Sequence, residues 1–232
     1  DRKEPDLIIT VDNGISSVAG VDAAKRIGSQ VLITDHHLAP ETLPEADAIV
    51  NPNQQGCSFK SKAIAGVGVI FYVMLALRSR LRELGRFESG LSEPNMASLL
   101  DLIALGTIAD VVPLDHNNRI LVAEGLRRIR AGKARPGIQA LLQVAGKNTT
   151  ALTASDLAFS VGPRLNAAGR LDDMTTGIEC LLSKHADTAY QLALQLDAMN
   201  QDRKQIEADM RQQAFESLEA VSYTHLTLPT IR

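Results

Sequence analysis

The sequence has 232 residues and 45% hydrophobic content, enough to bury the core of one large domain. Its net charge of −3 gives no overall basic surface for nucleic acid, and with 3% aromatic residues and no Trp it offers few platforms for stacking bases. Either a base-stacking surface lies outside this chain, or nucleic acid is not its substrate. The two cysteines, Cys57 and Cys180, argue against a disulfide framework and are typical of a reducing compartment such as the cytoplasm.

Three short apolar runs near the beginning of the chain predict buried strands, at residues 7–11, 31–34 and 48–50. Ser16 or Ser17 can cap a helix that ends near Ile27, before Gly28. The order strand, helix, strand, loop and strand predicts a parallel sheet with crossover connections.

From residue 63 onward the pattern becomes helical. Helices are predicted over residues 65–84, 96–108, 118–130, 137–145, 176–182 and 186–218, and the last has Leu and Ala at a period of about 3.6 residues. The fold class is therefore predicted to be α/β: a parallel sheet flanked by helices, followed by a helical portion and a long connecting helix. We expect a first domain over residues 1–183, the connecting helix over residues 184–221, and a non-native tail over residues 222–232, where the helical pattern breaks off.

Polar side chains follow the first two predicted strands. Asp12 comes directly after the first strand, and Asp35, His36 and His37 come directly after the second. Since open parallel sheets bind ligands at the carboxyl ends of their strands, these side chains should face one cleft. Carboxylate oxygens and imidazole nitrogens suit Mn²⁺ or Mg²⁺. The alternative is that Asp-Asn-Gly is an ordinary turn and Asp-His-His an ordinary strand exit.

Two later segments carry further candidates. Asp110 follows an apolar helix and precedes Pro113. Arg164, Asn166 and Arg170 lie among small residues, which allow a guanidinium group to approach an anion closely. The alternatives are an acid that simply ends its helix and a surface loop with two solvated arginines.

Two more patterns favour structural explanations. The basic run at residues 127–135 could contact a phosphate backbone, but cations at a helix C-terminus are also stabilised by the helix dipole. Gly66 and Gly68, within an apolar stretch, are a weak signal for a nucleotide loop and predict close helix packing instead.

Four segments occur in an order that resembles the DHH phosphoesterase superfamily, and most closely its RecJ-type exonucleases. They are residues 10–14, 34–37, 106–114 and 162–170, and the resemblance extends from residue 7 to about residue 218. It implies a two-metal phosphodiesterase, usually dependent on Mn²⁺ with Mg²⁺ as the alternative, that removes nucleotides from the 5′ end of single-stranded DNA in repair and recombination.

The resemblance also implies a role for each candidate residue. Asp12 matches the carboxylate that bridges the metals, His36 an imidazole ligand and Asp110 a further ligand. His37 should lie close to the scissile phosphate, and Asp35 should orient a histidine without binding metal itself. The motif that faces the substrate phosphate is matched by Arg164, Asn166 and Arg170.

One departure from the family concerns its acidic first motif, which would precede Asp1 and is absent from this sequence. We therefore expect this polypeptide alone to be inactive and its parent to be active. The implied partners are single-stranded DNA and replication or repair proteins such as single-strand-binding protein, in the bacterial cytoplasm and away from membranes. Two alternatives remain: a phosphodiesterase of short oligonucleotides or cyclic dinucleotides, and a catalytically dead DNA-replication scaffold.

Overall fold

The computed structural model describes residues 5–88, 90–171 and 173–220, without the side chains of residues 170, 171 and 218–220. Within these ranges, β1 (Leu7–Val11), β2 (Gln30–Thr34) and β3 (Ala48–Val50) form a sheet in the order β1-β2-β3. Both pairings are parallel, with Ile9 opposite Leu32 and Ile33 opposite Ile49. Helix α1 (Val18–Arg26) connects β1 to β2, so the predicted parallel sheet is confirmed.

The rest of the described chain is helical. Its helices are α2 (Gly66–Glu83), α3 (Leu100–Ala109), α4 (His116–Arg130), α5 (Pro136–Val144), α6 (Ala154–Asp156), α7 (Gly162–Leu171), α8 (Thr175–Leu182) and α9 (Ala186–Ala220). Two short 3-10 turns, Met96–Leu99 and Thr149–Ala151, and a π-helical stretch, Leu157–Val161, connect them. The α/β fold class is therefore confirmed.

Local signals explain where several helices begin. Asp115 caps α4, because its carboxylate accepts a hydrogen bond from the backbone N–H of Asn118 at 2.9 Å. Helix α5 starts at Pro136, whose fixed φ suits the first helical position. Ser17 stands at the N-cap of α1, as one of the two predicted positions, but its side chain makes no capping hydrogen bond.

The main hydrophobic core lies among the helices from α3 to α9. Leu141 and Leu142 of α5 are fully buried there beside Leu157 and Val161 of the π-helical stretch. The first half of α9 packs on α5, α7 and α8, and its Leu196 is fully buried as well. This core holds the helical portion against the sheet side of the molecule through α3, which contacts α2 and α4.

Two arginines of the basic run are bound within the fold. The backbone N–H of Arg135 donates to Asp101 at 2.8 Å, and its guanidinium lies 3.2 Å from the same fully buried carboxylate. Arg130 donates to the carbonyl of Leu152 at 2.8 Å. These contacts favour the structural explanation of the run over a phosphate-binding role.

The second half of α9 leaves Ile206, Met210 and Phe215 exposed. None of the helices in the described ranges is long and apolar enough to cross a bilayer. The proposed tail at residues 222–232 falls outside the described residues, and the division into domains stays a prediction.

Candidate metal centre

Asp12 directly follows β1 along the chain. In the fold it lies beside the start of α2. Its backbone N–H continues the sheet by donating to the carbonyl of Thr34 at 2.9 Å, but its φ of 61° is left-handed. Asp is one of the few non-glycine residues that adopt this conformation readily. The side chain lies against Gly66, the first residue of α2, where a β-carbon would come within 2.2 Å of Asp12 Oδ1. The lack of a side chain at Gly66 therefore makes room for the Asp12 carboxylate. This role differs from the close helix packing predicted for Gly66.

Asp35, at the end of β2, is the buried hydrogen-bonding hub of this region. Its side chain is 1% exposed, and Oδ2 accepts from the backbone N–H of Ile15 at 2.9 Å. Oδ1 accepts from the backbone N–H groups of His36 at 2.7 Å and His37 at 3.2 Å. Burial by itself would raise the pKa of Asp35, but these hydrogen bonds and that of the His37 ring lower it below its ordinary value. The group is consequently a carboxylate that fixes the backbone of both histidines.

His36 turns its ring toward two carboxylates. Its Nε2 lies 3.0 Å from Asp12 Oδ1 and 3.4 Å from Asp110 Oδ2. The side chain is 12% exposed, and Nε2 is buried without a hydrogen-bond partner in the described structure. A buried ring nitrogen that faces carboxylate oxygens without bonding to them fits the ligand set of a divalent cation.

The electrostatics of Asp12 agree with this fit. Burial raises the pKa of Asp12, attraction to His36 opposes that effect, and repulsion from Asp110 adds to it, so that the pKa lies above its ordinary value. Two carboxylates that repel each other across an imidazole are stabilised when a cation lies between them.

His37 belongs to the same cluster but has a different environment. Its Nδ1 lies 2.7 Å from Asp35 Oδ1, and this hydrogen bond raises the pKa of His37 above its ordinary value. The side chain is 61% exposed, and its ring makes an edge contact with that of His36 at 4.6 Å between centroids. Candidate ligand atoms of Asp12, His36 and His37 all lie within 4.8 Å of one another. The contact with Asp35 leaves Nε2 as the His37 nitrogen available to a ligand or a phosphate.

Asp110 reaches the cluster from a distant part of the chain. It is the C-cap residue of α3, and the next residue, Val111, has a left-handed φ of 59°. The structure thus gathers four predicted residues, Asp12, His36, His37 and Asp110, from the ends of β1, β2 and α3.

The three residues predicted to face phosphate are placed differently. Arg164 is 15% exposed, forms an ion pair with Asp197 of α9 at 2.7 Å and donates to the carbonyl of Ser160 at 2.6 Å. Asn166 is exposed on α7, and the side chain of Arg170, on the same helix, lies outside the described part of the chain. Their roles toward phosphate stay predictions, and Arg164 also links α7 to α9.

Two asparagines that the sequence reasoning missed support the histidines from the neighbouring strand. Asn51, directly after β3 and 3% exposed, donates from Nδ2 to the carbonyl of His37 at 3.0 Å. Asn53 donates from Nδ2 to the carbonyl of His36 at 2.5 Å. The signal was present in the sequence, since Asn51 follows the third predicted strand at the same sheet edge.

The chain is similar in sequence to known proteins. Residues 1–107 match the N-terminal domain of the DHH family. The chain is 60% identical over 228 residues to the single-stranded-DNA-specific exonuclease RecJ of Dickeya dadantii, covering 98% of this chain and 40% of that protein. It is 58% identical over 224 residues to RecJ of Salmonella typhimurium, covering 96% of this chain and 39% of the relative.

A solved structure is similar as well. The crystal structure of an exonuclease RecJ bound to manganese superposes with a TM-score of 0.76 at 36% identity, covering 90% of this chain and 50% of that one. The chain spans about 40% of the length of these two RecJ relatives.

Proposed function

The chain belongs to the DHH family through residues 1–107, and from this premise we propose that it carries part of the active site of a metal-dependent exonuclease that degrades single-stranded DNA from its 5′ end. The observation that carries the proposal is the buried Nε2 of His36, which lies 3.0 Å from Asp12 and 3.4 Å from Asp110 without a hydrogen-bond partner. The RecJ relatives, named for this activity, support the choice of substrate.

Asp12, His36 and Asp110 are the residues proposed to hold the metal. Oxygen and imidazole ligands suit Mn²⁺, with Mg²⁺ as the alternative, and a similar RecJ structure is manganese-bound. When bound, such a cation polarises the phosphoryl oxygen and makes a coordinated water a better nucleophile. Gly66 leaves the space that the Asp12 carboxylate occupies, and the hydrogen bond to Asp35 positions the backbone of His36.

His37 is proposed to contact the scissile phosphate. Because Asp35 is ionised, its carboxylate accepts a hydrogen bond from Nδ1–H of His37, so the proton on that nitrogen is fixed. Nε2 is then the ring nitrogen that can contact the phosphate. The hydrogen bond to Asp35 turns Nε2 away from that carboxylate, and an Nε2–H group in this position donates to a phosphate oxygen. Asp35 therefore acts on the phosphate through His37 and on the proposed metal through His36.

The exposed amide of Asn166 and the guanidinium of Arg170 are proposed to contact the substrate backbone from α7. Arg164 contributes through the placement of that helix, since its guanidinium is engaged by Asp197 at 2.7 Å. Single-strand-binding protein and other replication proteins are the proposed partners, in the bacterial cytoplasm. Residues 1–183 are proposed as a partial DHH domain and residues 184–221 as a helix that connects it to a second domain.

The test begins with metal binding. Mn²⁺ titration followed by electron paramagnetic resonance should show a tight site in the chain that is lost in Asp12→Ala and His36→Ala. His185→Ala is the matched control, because His185 is exposed beside α9 and away from the cluster. A chain without a Mn²⁺ site would contradict the proposal.

Cleavage of 5′-labelled single-stranded DNA, duplex DNA and a dinucleotide by the full-length parent, with its Asp12→Ala variant as the background, tests the substrate. Preference for the long single strand supports the exonuclease, and preference for the dinucleotide would support an enzyme of short oligonucleotides instead. Mn²⁺ binding without turnover would agree with the expectation that this polypeptide alone is inactive.

A further inference from the structure

The most exposed large apolar side chains in the described part of the chain adjoin the metal centre. They are Val111 at 85%, Leu38 at 84% and Phe159 at 81% exposure, well above the next, Leu182, at 66%. Leu38 directly follows His37, and Val111 directly follows Asp110. Exposed apolar surface of this kind, beside polar groups, is typical of a binding site.

Phe159 and Val111 line the same groove. The π-helical stretch that carries Phe159 continues into α7 at Gly162, where an added β-carbon would lie 4.0 Å from that of Ala109, the last residue of α3. The groove between them has a volume of about 220 Å³ and is apolar, with Ile108 and Ala158 also in its walls. It begins at Val111, so one wall of the groove directly follows Asp110 of the metal centre along the chain.

The conformation of this rim is not explained by packing. Val111 is β-branched and has a φ of 59°, which is a strained conformation. Its side chain is exposed, so few packing contacts compensate for the strain. Phe159 lies on a π-helical stretch, and such stretches are frequent at functional sites. Exposing an aromatic ring costs free energy that a bound partner would recover. Phe159 is also one of only 5 Phe in a chain without Trp.

We propose that this groove, the Phe159 groove, binds one nucleobase of the single strand whose phosphate lies at the metal centre. Phe159 stacks on the base, and Val111 forms the wall nearest Asp110. One base-stacking side chain would then lie within this chain, contrary to the expectation from its low aromatic content. The proposal rests on the proposed function and names a base-binding site for it. A nucleotide carries an anionic phosphate and a planar apolar face, and the site offers a cation-binding cluster next to an apolar groove.

Two properties of the substrate follow from this site. Binding is independent of base identity, because every base has a face that can stack on an aromatic ring. Only an unpaired base can enter, because a paired base is covered by its neighbours in the duplex. The groove therefore contributes to the discrimination between single and double strands.

The first experiment places a single indole in the groove. The chain has no Trp, so Phe159→Trp introduces a single indole, whose fluorescence can be excited apart from that of the three Tyr. A short 5′-phosphorylated oligothymidylate with phosphorothioate linkages, added with Mn²⁺, should quench its fluorescence, and a strand of the same length with abasic sites should not. If the indole fluorescence changes with protein concentration but not on addition of the oligonucleotide, the groove binds a second copy of the chain, and the proposal is overturned.

The second experiment measures the affinity that stacking provides. Phe159→Ala should bind the oligothymidylate about 5-fold to about 150-fold more weakly than the wild type, the range expected for one stacked base. It should bind the abasic strand as well as the wild type does, with the same Mn²⁺ affinity. Phe215→Ala is the matched control, since Phe215 is 58% exposed on α9 and outside the groove.

The outcomes separate this proposal from the proposed function. Wild-type binding that Phe159→Ala leaves unchanged overturns the base-binding site and leaves the exonuclease function standing. Equal losses for the oligothymidylate and the abasic strand also overturn it, because the effect would then not involve a base. A wild type that binds Mn²⁺ but no single strand contradicts both.

Discussion

Gly66→Ala tests the metal centre without removing any proposed ligand. A β-carbon at position 66 would lie 2.2 Å from Oδ1, 2.5 Å from Cγ and 2.6 Å from Cβ of Asp12. Ordinary contact begins near 3.4 Å, so the carboxylate must withdraw by about 1 Å. The Asp12 side chain is 49% exposed and can turn toward solvent, away from His36. One proposed ligand is then displaced while every ligand residue is retained.

The metal affinity and the stability of this variant should change independently. Displacement of a ligand by a neighbouring residue lowers metal affinity by about 10- to 100-fold. The free energy of unfolding without metal responds to a different contact: position 66 is the first residue of α2, where helix propensity counts least, and the added β-carbon overpacks against Asp12 Cβ at 2.6 Å, which should lower this free energy by about 1–3 kcal/mol. Mn²⁺ titration and thermal unfolding of the metal-free chain measure the two quantities.

A control and a double mutant complete the test. Gly20→Ala in α1 makes only an ordinary 3.8 Å contact with Ser17, and it should leave Mn²⁺ affinity unchanged. In an Asp12→Gly background, Gly66→Ala should have no further effect on Mn²⁺ binding, because every side-chain atom of the clash has then been removed. The reasoning is refuted if Gly66→Ala binds Mn²⁺ like the wild type, or if its loss is equally large without the Asp12 carboxylate.

Two further predictions concern stability. Arg135→Met leaves the fully buried Asp101 without its ion pair and should lower the free energy of unfolding in urea by roughly 3–5 kcal/mol. Arg127→Met, at an exposed ion pair, should leave the free energy of unfolding nearly unchanged, and equal effects of the two variants would contradict this assignment. Hydrogen bonds from Lys147 and then from Thr153, the N-cap residue of α6, lower the pKa of Asp156 from 3.8 to about 2. Its stabilising effect is therefore fully present above pH 3.8 and lost as the pH falls through about 2, so the difference in melting temperature between wild type and Asp156→Asn should shrink across that window, and a constant difference would count against it.

The local sequence determined the secondary structure and much of the metal cluster. Apolar runs, capping residues and the helical period depend on neighbours along the chain, so the strands and most helices could be read directly. Asp12, His36 and His37 could be placed together because parallel strands end at one edge of a sheet. Asp110 was linked to them only by resemblance, since nothing local relates residue 110 to residue 36.

Tertiary structure alone decided the contacts made across the chain. Arg164 pairs with Asp197, and Gly66 makes room for Asp12, because folding brings α7 to α9 and α2 to the end of β1. The exposure of Phe159 could not be predicted either, since an apolar residue in a helical segment is ordinarily assigned to the core. Periodicity reports which residues share a face, but only the packing of distant elements determines what that face meets.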